Sequence, residues 1–249
     1  MSTHPTAAAG FGSSADAYER GRPSYPDDAV AYLAAELGLG PAARVLDLAA
    51  GTGKLTRLLL EGGVSVVAVE PVAAMRDVLA RSAPEATVLE GTAESIPLPA
   101  ASVDAVTVAQ AFHWFDAEPA LVEIHRVLRP GGGLGLIWNA MDSSVEWVAV
   151  LQELVQGVRG SVPQYGGSPW REALRSSGLF TPLRERTFGL VHELGEEGLL
   201  DRVASTSYVA ALPEPKRERL IGEVRTLIAD VPRPLVLPYR TDVFCCRGT

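Results

Sequence analysis

Short apolar runs alternate with segments of helical period along the first 140 residues. Residues 44–49 (RVLDLA), 64–69 (VSVVAV), 86–89 (ATVL), 103–108 (VDAVTV) and 133–138 (GLGLIW) are near-continuous apolar runs of strand length. That is the pattern of strands buried on both faces. Between them, residues 54–60, 72–81 and 118–128 carry apolar positions at helical spacing. Strands and helices taking turns predict a parallel sheet with crossover helices. Residues 129–133 (RPGGG) are expected to end the third of these helices and turn the chain back.

Beyond Asn139 the pattern loosens. A helix is expected around 145–158, followed by SVPQYGGSPW, whose glycines and prolines predict neither regular helix nor strand. A strand around 184–190, two helical stretches and a last strand near 239–246 complete the chain. At 249 residues with 47% hydrophobic content, one α/β domain with a large core is expected. Its ligand crevice should lie at the C-terminal ends of the strands.

The strongest local pattern is Asp47-Leu48-Ala49-Ala50-Gly51-Thr52-Gly53, directly after the first strand and opening a helix. Gly51 and Gly53 permit a tight turn and let a ligand lie against the backbone; the alternative is a plain strand-to-helix turn. A dinucleotide fingerprint starting at Gly51 would need a third glycine where Thr56 stands. Asp47 would also repel a pyrophosphate, yet it suits a ligand with an ammonium and a sulfonium and no phosphate, as in S-adenosylmethionine. Glu70 closes the second strand, where an acid can accept from both ribose hydroxyls. It reads alternatively as an acid favoured at the start of the helix after Pro71.

These residues resemble the class I S-adenosylmethionine-dependent methyltransferases, in particular the small-molecule branch of ubiquinone/menaquinone-type and trans-aconitate-type enzymes. The likeness covers most of residues 10–140. In that family the loop follows an acid-x-Gly-x-Gly-x-Gly pattern, matched here by Asp47, Gly51 and Gly53, with Ala49 departing from it at the first glycine. The resemblance implies a doubly wound, mainly parallel, seven-stranded Rossmann-like sheet with a substrate-capping insertion after the fifth strand. It implies S-adenosylmethionine as cofactor, held by Asp47, Ala49, Gly51, Thr52, Gly53, Glu70 and Pro71. Thr92, Ala93 and Glu94, in GTAESIPL, would meet the adenine, and Met75 would pack on its face or serve as core filler. Tyr18 and Arg22, in a segment similar to the family's Tyr-x-x-x-Arg-Pro-x-Tyr-Pro, would reach the methionine carboxylate or form an ordinary surface helix.

The fourth strand runs into Gln110-Ala111-Phe112-His113-Trp114-Phe115, similar to the Ala-Phe-His-Trp-Phe segment of the same branch. Gln110 is a candidate for the methionine part of the cofactor. Phe112, His113 and Trp114, with Trp147, Tyr165 and Trp170 of the insertion, are candidates for the acceptor pocket. His113 reads either as a general base taking a proton from a hydroxyl or amine, or as a hydrogen-bonded part of the pocket wall.

The expected organisation is a cofactor-covering segment at 1–40, a cofactor-binding core at 41–139, a capping insertion at 140–183 and a C-terminal part at 184–249. Net charge −8, from 30 acidic and 22 basic residues, disfavours nucleic acid as a substrate. A small-molecule acceptor (hydroxyl, amine or carboxylate) is expected, with no metal, no membrane span and a cytoplasmic location. Cys245 and Cys246 are adjacent in a strand-like run, so their thiols should be free and on opposite faces. The competing reading keeps the fold but uses the pocket for a non-methylating reaction or for regulation.

Overall fold

The computed structural model describes residues 19–163, 165–167 and 169–249. Seven strands form one sheet in the order β3-β2-β1-β4-β5-β7-β6. They are β1 (Arg44–Leu48), β2 (Ser65–Val69), β3 (Thr87–Leu89), β4 (Val103–Ala109), β5 (Leu128–Met141), β6 (Arg184–Leu194) and β7 (Leu235–Arg247). All neighbours pair in parallel except β7, which is antiparallel to both β5 and β6. The strand order reverses between β1 and β4. Connections leaving these two strands diverge to opposite sides, opening a crevice at their C-terminal ends.

The helices are α1 (Asp27–Leu37), α2 (Lys54–Glu61), α3 (Ala73–Ser82), α4 (Ala117–Val127), α5 (Glu146–Gly157), α6 (Trp170–Ser177), α7 (Glu196–Ala204), α8 (Ser207–Ala210) and α9 (Glu214–Ile228). Strand alternation sorts the core into two layers. Leu46, Leu48, Val106, Leu136 and Trp138 face a layer completed by α4 and α6, whereas Val45, Ala105, Ile137 and Val243 face α1 and α2. Cys246 belongs to the first layer and Cys245 to the second; both are buried and free, as strand geometry predicts. A further cluster joins α5, α7 and α9 to the start of β7, through Leu151, Val203, Val224 and Leu237.

Three boundaries differ from the sequence expectation. Residues 129–133 do not turn the chain back; they form a bulge within β5, where pairing steps from Val103↔Leu128 to Ala105↔Gly133. Gly131 takes φ +74° there, which lets the strand absorb extra residues. The outer strands are also longer than their apolar runs, because β6 and β7 pair with each other from Arg184↔Cys245 to Leu194↔Leu235. Between them lie three helices rather than two, α8 being a single turn.

Close approach of α1 to β5 depends on small side chains. A Cβ at Gly135 would collide with Leu33 Cδ1 and sit 2.9 Å from Leu37 Cδ1, and both leucines are buried. Gly135→Ala should therefore destabilise the protein by about 1–3 kcal/mol through overpacking. Gly189→Ala in β6, where an added Cβ meets nothing within 4 Å, is the control. Urea unfolding measures both, and equal midpoints would show that α1 yields without cost.

Candidate active site

The chain leaves β1 through three residues in the left-handed region: Ala49 (φ +56°), Gly51 (φ +59°) and Gly53 (φ +87°). For Ala49 this conformation costs about 1–2 kcal/mol. The first glycine of the family pattern is thus replaced by an alanine held in a glycine-like conformation. At Gly51 an added Cβ would meet nothing within 4 Å and would project into open space, whereas at Gly53 it would lie 2.7 Å from Leu79 Cδ1. Gly51 therefore keeps a cavity open, and Gly53 lets α3 pack against the start of α2.

Two buried carboxylates brace this loop. Asp47 has no exposed surface; its oxygens accept from Thr56 Oγ1 at 2.6 Å and Thr107 Oγ1 at 3.2 Å. Burial pushes its carboxyl up to about 6, against the opposing effect of these hydrogen bonds. Thr56, the residue that breaks the dinucleotide pattern, thus supplies a partner to the acid. Glu70 is 5% exposed and accepts from the backbone N–H of Gly51 and of Val72, both at 2.9 Å. Burial raises its carboxyl too, with the two N–H donors acting in the other direction. One acid thus holds both the N–H just before α3 and the N–H of Gly51 within the turn.

The segment before α1 crosses the loop. Glu19 accepts from Thr52 Oγ1 at 2.6 Å and from Arg57 Nη2 at 2.7 Å, and its backbone carbonyl accepts from Lys54 Nζ at 2.8 Å. Lys54 is pushed down from the ordinary lysine value by burial, which Glu19 partly offsets. Arg20 pairs with Asp201, and a Cβ at Gly21 would lie 2.5 Å from the backbone nitrogen of Arg202. Arg22 donates to the Ser205 carbonyl at 3.5 Å, and Asn139 Nδ2 donates to the Ser24 carbonyl at 2.9 Å. Beneath this strap lies a small cavity, with about 40 Å³ open to water, lined by Arg22, Ala49, Gly51, Lys54, Gln110 and Arg202 among others.

A second space, about 1500 Å³ including its open mouth, shares Arg22, Gln110, Asn139 and Arg202 with the first. Gln110 turns the chain off β4 with φ +59° and donates to the Asn139 carbonyl at 3.4 Å. A 3-10 turn, Phe112–Trp114, then brings His113 and Trp114 to the cavity wall beside Trp138 and Tyr165, which stack at 4.6 Å. Trp138 Nε1 donates to His113 Nδ1 at 3.4 Å. Because indole nitrogen only donates, the neutral imidazole must carry its own proton on Nε2. Burial, and secondarily the charge of Arg22, pull His113 down to about 4. In this arrangement the ring offers a donor at Nε2 and is a weak base.

Several sequence candidates lie elsewhere. Phe112 (1% exposed) and Trp170 (2%) are core: Trp170 packs on Phe112 and Trp138, away from the cavity. Their long aromatic side chains fill the layer under α4 and α6, which the sequence pattern alone does not distinguish from a pocket. Trp147 packs on the α5–α9 cluster and does not border the second cavity. Met75 is buried with Val78, as core filler. Ala93 is buried, Thr92 bridges Ser95, and Glu94 accepts from the Asp116 N–H at 3.1 Å. Pro71 meets Arg76 through its carbonyl at 2.7 Å. Neither cavity includes Asp47, Glu70, Pro71, Met75, Thr92, Ala93 or Glu94. Tyr18 lies outside the described residues. Lys54, Asn139, Arg202, Tyr208 and Tyr239 were not anticipated; only Lys54, one residue past the loop, had a local signal.

Comparison with known proteins agrees with this architecture. A family described as methyltransferase domain matches residues 46–136. An uncharacterized methyltransferase of Mycobacterium tuberculosis strain H37Rv is 45% identical over 246 residues, covering 96% of this chain and 95% of its own. The chain belongs to the class I S-adenosylmethionine-dependent methyltransferase family. A candidate type II methyltransferase of Anaeromyxobacter dehalogenans shares the fold with a TM-score of 0.64 and 25% identity, over 91% of this chain and 97% of that one. Geranyl diphosphate methyltransferase, solved in complex with S-adenosylmethionine, matches with a TM-score of 0.50 and 16% identity over 90% and 85% of the two chains. The methyltransferase sheet places the Gly51 loop and the His113 turn at one sheet end, as the strand order requires. Among the described residues, no helix is long and apolar enough to cross a membrane.

The buried Asp47 has a consequence for stability. Its folded carboxyl, at about 6, lies above the ordinary value of 3.8, so the folded state holds the proton more tightly than the unfolded chain. The corresponding stability is complete below pH 4 and is lost as pH rises through 6, a change of about 2–3 kcal/mol. Asp47→Asn removes this titration. Urea unfolding at pH 4 and pH 7.5 should show wild type losing about that much relative to the variant, and parallel pH curves would contradict the assignment.

Proposed function

We propose that this methyltransferase uses S-adenosylmethionine to methylate a small molecule, with the cofactor beneath the N-terminal strap and the acceptor against the His113–Trp138 wall. Gly51 carries the reading. Its backbone is fixed by Glu70, its φ is positive, and a side chain there would fill open space beside the cavity. A glycine in that position is accounted for by a ligand lying against the backbone. The residues present fit this cofactor: Lys54, Arg22 and Arg202 border the loop cavity and suit a carboxylate, while Glu70, outside the lining, holds the Gly51 N–H that faces the loop.

When bound, S-adenosylmethionine supplies an activated methyl group on a sulfonium. This chain's own residues orient and enclose. Gln110 and Asn139 border both cavities and divide them, and the strap from Glu19 to Ser24 shields the loop from water. Trp114 and Tyr165 present apolar surface to the acceptor, with Trp138 stacked behind Tyr165, and aromatic faces suit a neighbouring cation. Positioning then supplies most of the rate. His113 is best read as a donor and wall rather than a general base, because Trp138 occupies its acceptor nitrogen.

Calorimetry with S-adenosylmethionine, S-adenosylhomocysteine and NADH tests the cofactor. The first two should bind and NADH should not. Gly51→Val should abolish binding while circular dichroism stays native, with Gly51→Ala as the gentler variant should valine unfold the loop; unimpaired binding in a folded Gly51→Val protein would contradict the reading.

His113→Asn should keep turnover within about tenfold of wild type, and the wild-type pH profile should lack an inflection near neutrality. General bases contribute about 10² to 10⁴ in rate. A fall of that size with unchanged cofactor affinity would restore His113 as the base.

A further inference from the structure

A buried charge stands where the two cavities meet. Arg202, in α7, is 8% exposed and borders both of them. Its partners are neutral: Nε donates to the Tyr239 hydroxyl at 2.9 Å and Nη1 to Thr206 Oγ1 at 3.3 Å. Among the described residues no carboxylate pairs with it. Asp201, its neighbour in the chain, pairs with Arg20 at 2.9 Å, and Glu19 of the strap is held by Thr52, Lys54 and Arg57. A guanidinium cannot shed its proton when buried, so its enclosure without a counter-ion is unfavourable. That points to an anion arriving from outside.

The same arginine sits at the joint of a wall. α7 and α8 contribute Arg202, Val203, Thr206, Ser207 and Tyr208 to the second cavity, and Thr206, whose hydroxyl Arg202 holds, is the residue on which α8 starts. The strap is docked along this joint. Arg20 pairs with Asp201, Gly21 lies against the backbone nitrogen of Arg202, and Arg22 donates to the Ser205 carbonyl at 3.5 Å. Tyr239, the other partner of Arg202, belongs to β7 and borders the loop cavity. Whatever fixes the Arg202 guanidinium therefore fixes the strap, the sheet and the α7–α8 wall relative to one another.

We propose that the carboxylate of the bound cofactor seats on Arg202 and through it locks the α7–α8 wall, so that the acceptor cavity takes its final shape only once the cofactor is in place. This rests on the methyltransferase reading above. Of the cations that border the loop cavity, Lys54 is already answered by Glu19 at 3.5 Å, whereas Arg202 has no acid. A carboxylate there cancels a charge that both cavities share, and the acceptor then meets a neutral surface on that side. The order of binding follows: cofactor first, acceptor second. Arg202 thus binds the cofactor directly, and it acts on the acceptor as a positioning residue, through Val203, Thr206, Ser207 and Tyr208.

The test is calorimetry on the full chain with S-adenosylhomocysteine and with S-adenosyl-3-thiopropylamine, which lacks only the carboxylate. Wild type should bind the first about tenfold or more tighter, as a charged hydrogen bond requires. Arg202→Met should lose that preference while its affinity for S-adenosyl-3-thiopropylamine stays within about threefold of wild type. Amide hydrogen exchange reads the wall. Saturating S-adenosylhomocysteine should slow exchange across residues 199–210 of wild type by about fivefold or more, whereas S-adenosyl-3-thiopropylamine at saturation, or either ligand on Arg202→Met, should not. Should Arg202→Met fail to fold by circular dichroism, Arg202→Lys takes its place, with S-adenosylhomocysteine weakened by about threefold or more and the other ligand unchanged. An intact preference in the variant, equal loss of both ligands, or equal protection of 199–210 by both would overturn the proposal. The first would put the carboxylate on another residue, the second would make Arg202 purely structural, and the third would separate the wall from the carboxylate. Binding of neither ligand to wild type counts against the methyltransferase reading itself.

Discussion

The site depends on two carboxylates buried beneath one turn. Asp47 and Glu70 end adjacent parallel strands, and each is held in a poorly solvated position by hydrogen bonds, Asp47 from threonine hydroxyls and Glu70 from backbone N–H groups. Burying them is unfavourable, as their raised protonation shows. The return is a loop in which Ala49, Gly51 and Gly53 all keep left-handed backbones. Strain of this kind persists only where surrounding contacts over-determine it. Here Glu70 grips the Gly51 N–H directly, and Asp47 anchors the first turn of α2 through Thr56.

Three distant parts of the chain must meet over this loop before a cavity exists. The strap from Glu19 to Ser24 is tied to α2 by Glu19, to α7 by Arg20 and Gly21, and to β5 by Ser24. Arg202 borders both cavities, so α7 couples the cofactor side to the acceptor side. Glycine at position 21 is what lets the strap lie against the backbone of α7. Packing and charge thus act at the same contact: the strap covers the loop and also brings Arg22 beside Arg202.

On the acceptor side, aromatic packing settles the chemistry of the histidine. Trp138 is pinned between Tyr165 and Trp170, and its indole N–H donates to His113 Nδ1. The tautomer follows from that stack rather than from any charged partner. A buried neutral imidazole presenting Nε2–H, beside arginines and without an acid on the described wall, makes the cavity a donor-rich one.

How much of this was legible beforehand follows from the range of each interaction. Strand period, helical spacing and the Asp47–Gly53 pattern are local, so the order of elements, the loop and the opposed faces of Cys245 and Cys246 could be read directly. The likeness to a known family supplied Gln110, Arg22 and the His113 segment, because those residues lie beside strands whose place in the sheet is fixed. The sequence could not say which aromatics face the crevice: Phe112 and Trp170 became core while Tyr165 reached the cavity, since that depends on how α6 docks on the sheet. Nor could it find Arg202, which lies within α7, far along the chain from the loop. Its charge becomes informative only when tertiary packing removes water from around it and leaves it neutral partners, Tyr239 and Thr206.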